Sequence, residues 1–224
     1  MYPFIYRNKT LITESDTSEN DLINVGIKKE NIIRIPPGVD LNLFHPGEKT
    51  TNIQLLYFGG LRKYKRSEYA IKVYEDLYND INNLKLIITG DGPSLNKIKE
   101  GIKDKNYNID FLGKLDYNKL AIVIRESWVN LHFSVTEGWG LSIMESSASG
   151  TPSVAFRVPG VVDTIRDTYN GFLVNDINEF RDKILYIIKN ENSFIKNSRE
   201  FAESFTWERT AGLWYELLNN SKSE

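Results

Sequence analysis

Residues 137–145 read Glu137-Gly138-Trp139-Gly140-Leu141-Ser142-Ile143-Met144-Glu145. Two carboxylates stand eight positions apart, with a Gly-x-Gly turn and the opening of a helix between them. Such a loop presents backbone N–H groups and the positive end of a helix dipole, and both favour an anion. One carboxylate before the loop and another inside the helix flank that anion with hydrogen-bond acceptors. Phosphate on the amides and hydroxyls on the carboxylates are the chemistry of a sugar nucleotide. The plain alternative is a strand–turn–helix joint with two solvated glutamates, and spacing alone does not separate the two.

The continuation is Ser146-Ser147-Ala148-Ser149-Gly150-Thr151-Pro152-Ser153-Val154-Ala155-Phe156. Its small residues let a helix pack closely on a sheet. Gly150 is placed to end that helix, with Pro152 just beyond it. A short apolar strand follows. The whole segment resembles the Glu-x7-Glu signature of retaining GT-B glycosyltransferases, family 4 in particular. That pattern reads approximately Glu-Gly-(aromatic)-Gly-Leu-x-x-x-Glu-Ala-x-Ala-x-Gly-x-Pro-Val, and this chain departs from it conservatively, as with Ser146 for Ala.

Composition sets outer bounds. The chain has 224 residues, enough for one domain or one and a half. With 41% hydrophobic and 26% charged residues it has the mix of a soluble globular protein. A net charge of −2 supplies no global field toward nucleic acid or membrane, so no nucleic-acid partner is expected. The absence of cysteine excludes disulfides, zinc–thiolate sites and thiol nucleophiles. His45 and His132 are too few for a histidine-rich metal site. No signal peptide or bilayer-spanning run is legible, which points to a cytoplasmic location.

Strand and helix patterns alternate. Strands are predicted over 10–13, 32–35, 53–58, 84–89, 109–112, 128–133, 153–156 and 172–174. Helices are predicted over 15–25, 67–78, 95–102, 116–126, the signature segment and 161–167, then over 177–189, 193–203 and 207–218. Short βα connections give a largely parallel sheet covered on both faces, a Rossmann-like doubly wound α/β domain. Ligands in such sheets bind beyond the carboxyl ends of the strands. Gly59-Gly60, Gly90-Asp91-Gly92 and Gly138-Trp139-Gly140 each follow a strand, so all three gather at that edge. Each alone is ordinary turn chemistry. Together they mark a ligand site.

The resemblance extends over the flanks. Ile35-Pro36-Pro37-Gly38-Val39-Asp40-Leu41-Asn42-Leu43-Phe44 is similar to the family's Pro-x-Gly-Val-Asp-x-x-x-Phe segment after the interdomain linker. Gly90-Asp91-Gly92-Pro93, Phe111-Leu112-Gly113 and Phe205-Thr206-Trp207 match three further family motifs. The resemblance therefore implies the C-terminal half of a GT-B fold. On that reading residues 1–35 are a remnant of the N-terminal acceptor domain and linker. Residues 36–206 are the nucleotide-sugar-binding domain, and 207–224 are a C-terminal helix that would cross back to the missing domain.

One departure stands out. The family usually has Gly-Arg-Leu-x-x-x-Lys after the first strand of this domain, with Arg and Lys both on the diphosphate. Here the segment is Gly59-Gly60-Leu61-Arg62-Lys63-Tyr64-Lys65-Arg66. Lys65 holds the Lys position and Gly60 the Arg position. Arg62 is either the replacement or part of a solvated basic loop.

The resemblance implies these roles. Lys65 neutralises charge on the leaving diphosphate. The amides of Gly138, Trp139, Gly140 and Leu141 hold the donor sugar or its phosphate. Glu137 stands near the transferred sugar, and Glu145 accepts from the ribose hydroxyls. The nucleobase lies near Gly90, Gly92 and the strand that carries Leu112, with Gly59 and Gly60 lining the approach. No Asp-x-Asp occurs, which fits metal-independent chemistry without a cofactor. His132 reads as a core histidine, and the tryptophans read as core, with Trp139 the one to test.

The parent activity is thus expected to be retaining, hexosyltransferase-type transfer from a UDP-, GDP- or ADP-sugar to a sugar, glycolipid or polysaccharide hydroxyl. The isolated half is expected to be inactive. Its exposed interdomain surface offers a homodimer contact, and the full-length form a peripheral membrane contact. A stand-alone nucleotide-binding module without turnover is the alternative. A flavodoxin-like regulatory domain is a remoter one, and it would need an acidic pocket where the chain has Gly59-Gly60.

Overall fold

The computed structural model describes residues 5–6 and 8–220. The chain opens with β1 (Leu11–Thr13), α1 (Asp16–Asn24) and β2 (Ile32–Arg34). Strands β1 and β2 pair in parallel, with Leu11 opposite Ile32. The Ser15 side chain caps α1 by accepting from the Ser18 amide, and Gly26 ends that segment with a φ of 93°.

The main domain follows as β3 (Gln54–Phe58), α2 (Tyr69–Leu77), β4 (Lys85–Thr89), α3 (Leu95–Glu100), β5 (Ile109–Gly113) and α4 (Tyr117–Glu126). It continues with β6 (Val129–His132), α5 (Leu141–Ala148), β7 (Ser153–Phe156) and β8 (Gly171–Val174), and closes with α6 (Glu179–Lys189), α7 (Glu191–Ala202) and α8 (Trp207–Asn220). Six strands form one sheet in the order β5-β4-β3-β6-β7-β8, every pairing parallel. The expected doubly wound Rossmann-like α/β sheet is the one observed. The order reverses between β3 and β6, and that switch point is where such sheets hold ligands.

The central strand is buried along its whole length, which is why it reads as a continuous apolar run. Its side chains alternate between two cores. Leu55 and Tyr57 pack with Val73, Tyr74 and Leu77 of α2 and with Phe180 and Ile184 of α6. Leu56 and Phe58 face the other layer, among Ala121 and Ile124 of α4 and Met144 and Ala148 of α5. Asp116 caps α4, as expected, by accepting from the Lys119 amide at 2.9 Å.

One expected helix is absent. Residues 159–164 form turns instead, and Asp167 makes an isolated bridge with Gly171. Gly160, with a φ of 78°, lies among these turns. Asp163 is drawn away to α1, where it accepts from the Asp16 amide at 2.9 Å and from the Thr17 hydroxyl. Two β-branched pairs, Val161-Val162 and Thr164-Ile165, weaken helix propensity further.

Of the expected segments 1–35, 36–206 and 207–224, residues 1–4 and 7 of the first and 221–224 of the last lie outside the described residues. The first and last segments do carry exposed apolar side chains: Ile12 and Val25 near the start, and Trp207, Trp214, Tyr215 and Leu218 on α8. No helix among the described residues is long and apolar enough to cross a membrane.

Candidate functional site

The loops after β3 and β6 meet at the switch point. Residues 59–67 leave β3, and residues 133–140 leave β6. Gly59 has a φ of 134° and Gly90 a φ of 125°, backbone that glycine adopts readily. A Cβ on Gly90 would stand 1.9 Å from the Gly59 carbonyl oxygen, and one on Gly92 2.5 Å from that of Leu61. The two glycine turns are therefore clamped face to face by backbone contact. Gly140, at a φ of 97°, is the N-cap of α5.

Three adjoining pockets lie along this edge. The first, about 300 Å³, is lined by residues that include Phe58, Gly59, Gly60, Gly90, Lys114 and Leu120. The second, about 280 Å³, shares Phe58 and Gly59 with it and adds Glu14, Lys65, Glu137 and residues 138–142. The third, about 300 Å³, shares Leu141 with the second and is walled by Val39, Phe44, Tyr117, Trp207 and Glu145. The first turn of α5 opens on the second pocket, and helix geometry leaves its N–H groups without intrahelical acceptors.

Charge converges in the second pocket. Lys65 Nζ donates to Glu137 Oε1. His132 Nε2 lies 3.1 Å from the same oxygen, a distance for electrostatic contact, but its alignment does not complete a hydrogen bond. On the far side of the ring, Nδ1 is 3.5 Å from the Ser142 hydroxyl. Burial works to raise the Glu137 carboxyl, yet His132, Lys65 and Ser134 together outweigh it and bring its pKa to about 2. Burial is also the main influence on His132 and lowers it, against Glu137, which works to raise it. Gly160 supports the backbone behind this cluster: the Glu137 amide donates to Pro159, and a Cβ on Gly160 would stand 2.1 Å from the Glu137 carbonyl oxygen.

Glu145 has a different setting. It sits on α5 in the mostly apolar third pocket, and burial alone raises its pKa to about 7. The two signature glutamates thus open on neighbouring pockets rather than one.

The expected site residues divide accordingly. Lys65, Glu137, Gly59, Gly60, Gly90, Gly138, Gly140, Leu141 and Glu145 line the connected groove. Trp139 borders it, but its indole is buried against Phe205 at 5.2 Å between ring centroids, so the ring is core rather than a stacking platform. Gly92 packs on Leu61 instead of facing the first pocket, and Leu112 is exposed on the edge strand β5, outside the lining of these pockets. Lys114 and Leu115, just past that strand, line it instead. Arg62 is exposed, and its Nε passes 3.9 Å from where a Cβ on Gly60 would stand. His132, which stands behind Glu137, and Glu14, which lines the second pocket, were not expected from the sequence. His132 stands in a strand, where an apolar neighbour pattern reads as core, and Glu14 lies far from every motif. Among the described residues no group of three or more acidic or histidine side chains is placed to hold a metal ion.

Residues 40–203 match the sequence profile of the family described as Glycosyl transferases group 1. An uncharacterized glycosyltransferase of Methanocaldococcus jannaschii, MJ1069, is 31% identical over 215 residues, covering 90% of this chain and 53% of its own. The N-acetyl-alpha-D-glucosaminyl L-malate synthase of Bacillus anthracis is 26% identical over 181 residues, 75% of this chain and 47% of its own. The chain spans about half the length of these relatives. Among solved structures, Staphylococcus aureus TarM, in a complex that includes UDP, superposes with a TM-score of 0.84 at 28% identity over 97% of this chain and 46% of its own. HepE of Anabaena, solved with UDP and glucose, has the same fold at a TM-score of 0.79 and 20% identity, over 96% of this chain and 64% of its own.

Proposed function

Because the chain belongs to the group 1 glycosyl transferases, we propose that it forms the donor-binding half of a retaining, hexosyltransferase-type enzyme that takes a sugar from a nucleotide sugar. The observation that carries this reading is the meeting of Lys65, Glu137 and the α5 N-terminus at the reversal of strand order. A nucleotide sugar fits the groove by its parts. The base occupies the pocket beside Gly59, Gly90 and Leu120. The diphosphate lies over Gly60 and residues 138–141, where helix amides and the Lys65 ammonium favour its charge. Arg62 reinforces it, since its Nε passes 3.9 Å from where a Cβ on Gly60 would stand. Glu145 accepts from the ribose hydroxyls and Glu137 from the transferred sugar.

In the reaction the bond between the anomeric carbon and the diphosphate oxygen breaks. An acceptor hydroxyl oxygen bonds to that carbon, and its proton ends on the released diphosphate. Negative charge grows on the leaving group, and Lys65 is positioned to neutralise it without a metal. The acceptor, a sugar, glycolipid or polysaccharide, would be held largely by a facing domain. A second reading is a module that binds the nucleotide without turnover. Thermal-shift titration with UDP-, GDP- and ADP-sugars tests both readings: stabilisation by one series supports the donor site, and no stabilisation by any contradicts it. A transfer assay with that donor then separates enzyme from binding module.

A further inference from the structure

We propose that Glu14 completes the donor pocket from the N-terminal segment and selects an uncharged transferred sugar. This rests on the donor-site reading above. Glu14 stands between two buried residues, Thr13 and Ser15. The Thr13 carbonyl accepts from the Ile35 amide at 2.8 Å, the Ser15 hydroxyl accepts from the Ser18 amide at 3.1 Å, and Asp163 holds the Asp16 amide at 2.9 Å. The backbone is therefore fixed on both sides while the Glu14 side chain is exposed in the groove. Its Oε2 lies 3.4 Å from where a Cβ on Gly138 would stand, directly over the signature loop.

Charge decides what fits between Glu14 and Glu137. Among the described residues lining this pocket Lys65 is the sole cation, and it pairs with Glu137. A bound diphosphate takes Lys65 for itself. Two carboxylates then face the sugar, and ionised carboxylates only accept hydrogen bonds. Hydroxyl and acetamido N–H groups satisfy them. A glycuronate would bring a third negative charge into the same pocket, and like charges held together are rejected.

The test is calorimetry with UDP, GDP and ADP, and with the glucosyl and glucuronosyl ester of whichever nucleotide binds, on the whole chain and on Glu14→Gln and Glu14→Ala. The exposed position leaves folding intact, which the thermal midpoint checks. The inference predicts that both variants still bind the nucleoside diphosphate, at least as tightly as the parent chain, because each removes a carboxylate beside the loop that holds it. It also predicts at least a tenfold preference for the glucosyl over the glucuronosyl ester in the parent chain, about 1.4 kcal/mol, falling to within about threefold in both variants. Nucleotide binding with a discrimination ratio untouched by either substitution would overturn the role of Glu14 alone. Failure of all three nucleotides to bind would overturn the donor-site reading and this inference with it.

Discussion

Lys65 and Glu137, 72 residues apart in the chain, close an ion pair across the line where the sheet reverses its strand order. Both side chains are mostly buried, at 19% and 15% exposure. A buried pair of this kind is balanced against the cost of desolvating both charges, so removing one partner strands the other. It also holds both groups at the place where a diphosphate would claim the lysine and leave the glutamate to the sugar.

Lys65→Ala should weaken nucleoside diphosphate binding by about 1–3 kcal/mol, the size of a lost charge-assisted contact. It should also change the acid limb of stability. The Glu137 carboxyl is depressed to about 2, so its contribution is present above the ordinary value near 4.5 and is lost as pH falls through about 2. Without Lys65 the folded pKa lies closer to 4.5, so this contribution should be smaller and its loss complete at a higher pH. Calorimetry and acid-denaturation curves of the two proteins give both readouts, and identical curves would detach Lys65 from Glu137.

Glu145 should behave in the opposite sense. Burial raises its folded pKa to about 7, so the folded state keeps a proton that the unfolded state releases near 4.5. Stability attributable to this group therefore falls as pH rises from about 4.5 to about 7. Glu145→Gln should remove that slope and stabilise the chain at pH 8, yet weaken nucleoside diphosphate binding through the lost ribose contact. A variant that is more stable and binds equally well would make Glu145 a structural residue only.

Arg62 is exposed, so its removal should not disturb folding. Arg62→Ala should nonetheless cost about 1–3 kcal/mol of diphosphate affinity if its side chain serves in place of one at Gly60. An unchanged affinity in a titration would leave Lys65 acting alone.

The two signature glutamates should separate by assay. Glu137→Gln should leave nucleoside diphosphate binding nearly intact and lower transfer in a form that carries the facing domain, because its partner changes charge only as the sugar departs. If, as proposed, a facing domain excludes water and holds the acceptor, residues 1–224 by themselves should show no sustained transfer. Ordinary turnover by the isolated chain would mean that it needs no facing half.

Much of this was legible in the sequence because one-dimensional signals carried it. The apolar run of β3, the Asp116 cap and the glycine turns each follow local rules that tertiary packing did not override. What failed did so for tertiary reasons. Residues 161–167 lost their helix because Asp163 was engaged by α1. Trp139 turned inward because Phe205, 66 positions later, offered a ring to pack on. His132 reaches Glu137 by strand order, and Glu14 reaches the groove by the pairing of β1 with β2. No local pattern encodes either placement.

On the donor-site reading a nucleoside diphosphate binds at the switch point through Lys65 without a metal. Titration of UDP, GDP and ADP into the chain in EDTA, in parallel with Lys65→Ala, measures this directly. The account predicts saturable binding of one of them that survives chelation and drops at least tenfold in the variant. Binding that chelation abolishes, or that Lys65→Ala leaves unchanged, would contradict it.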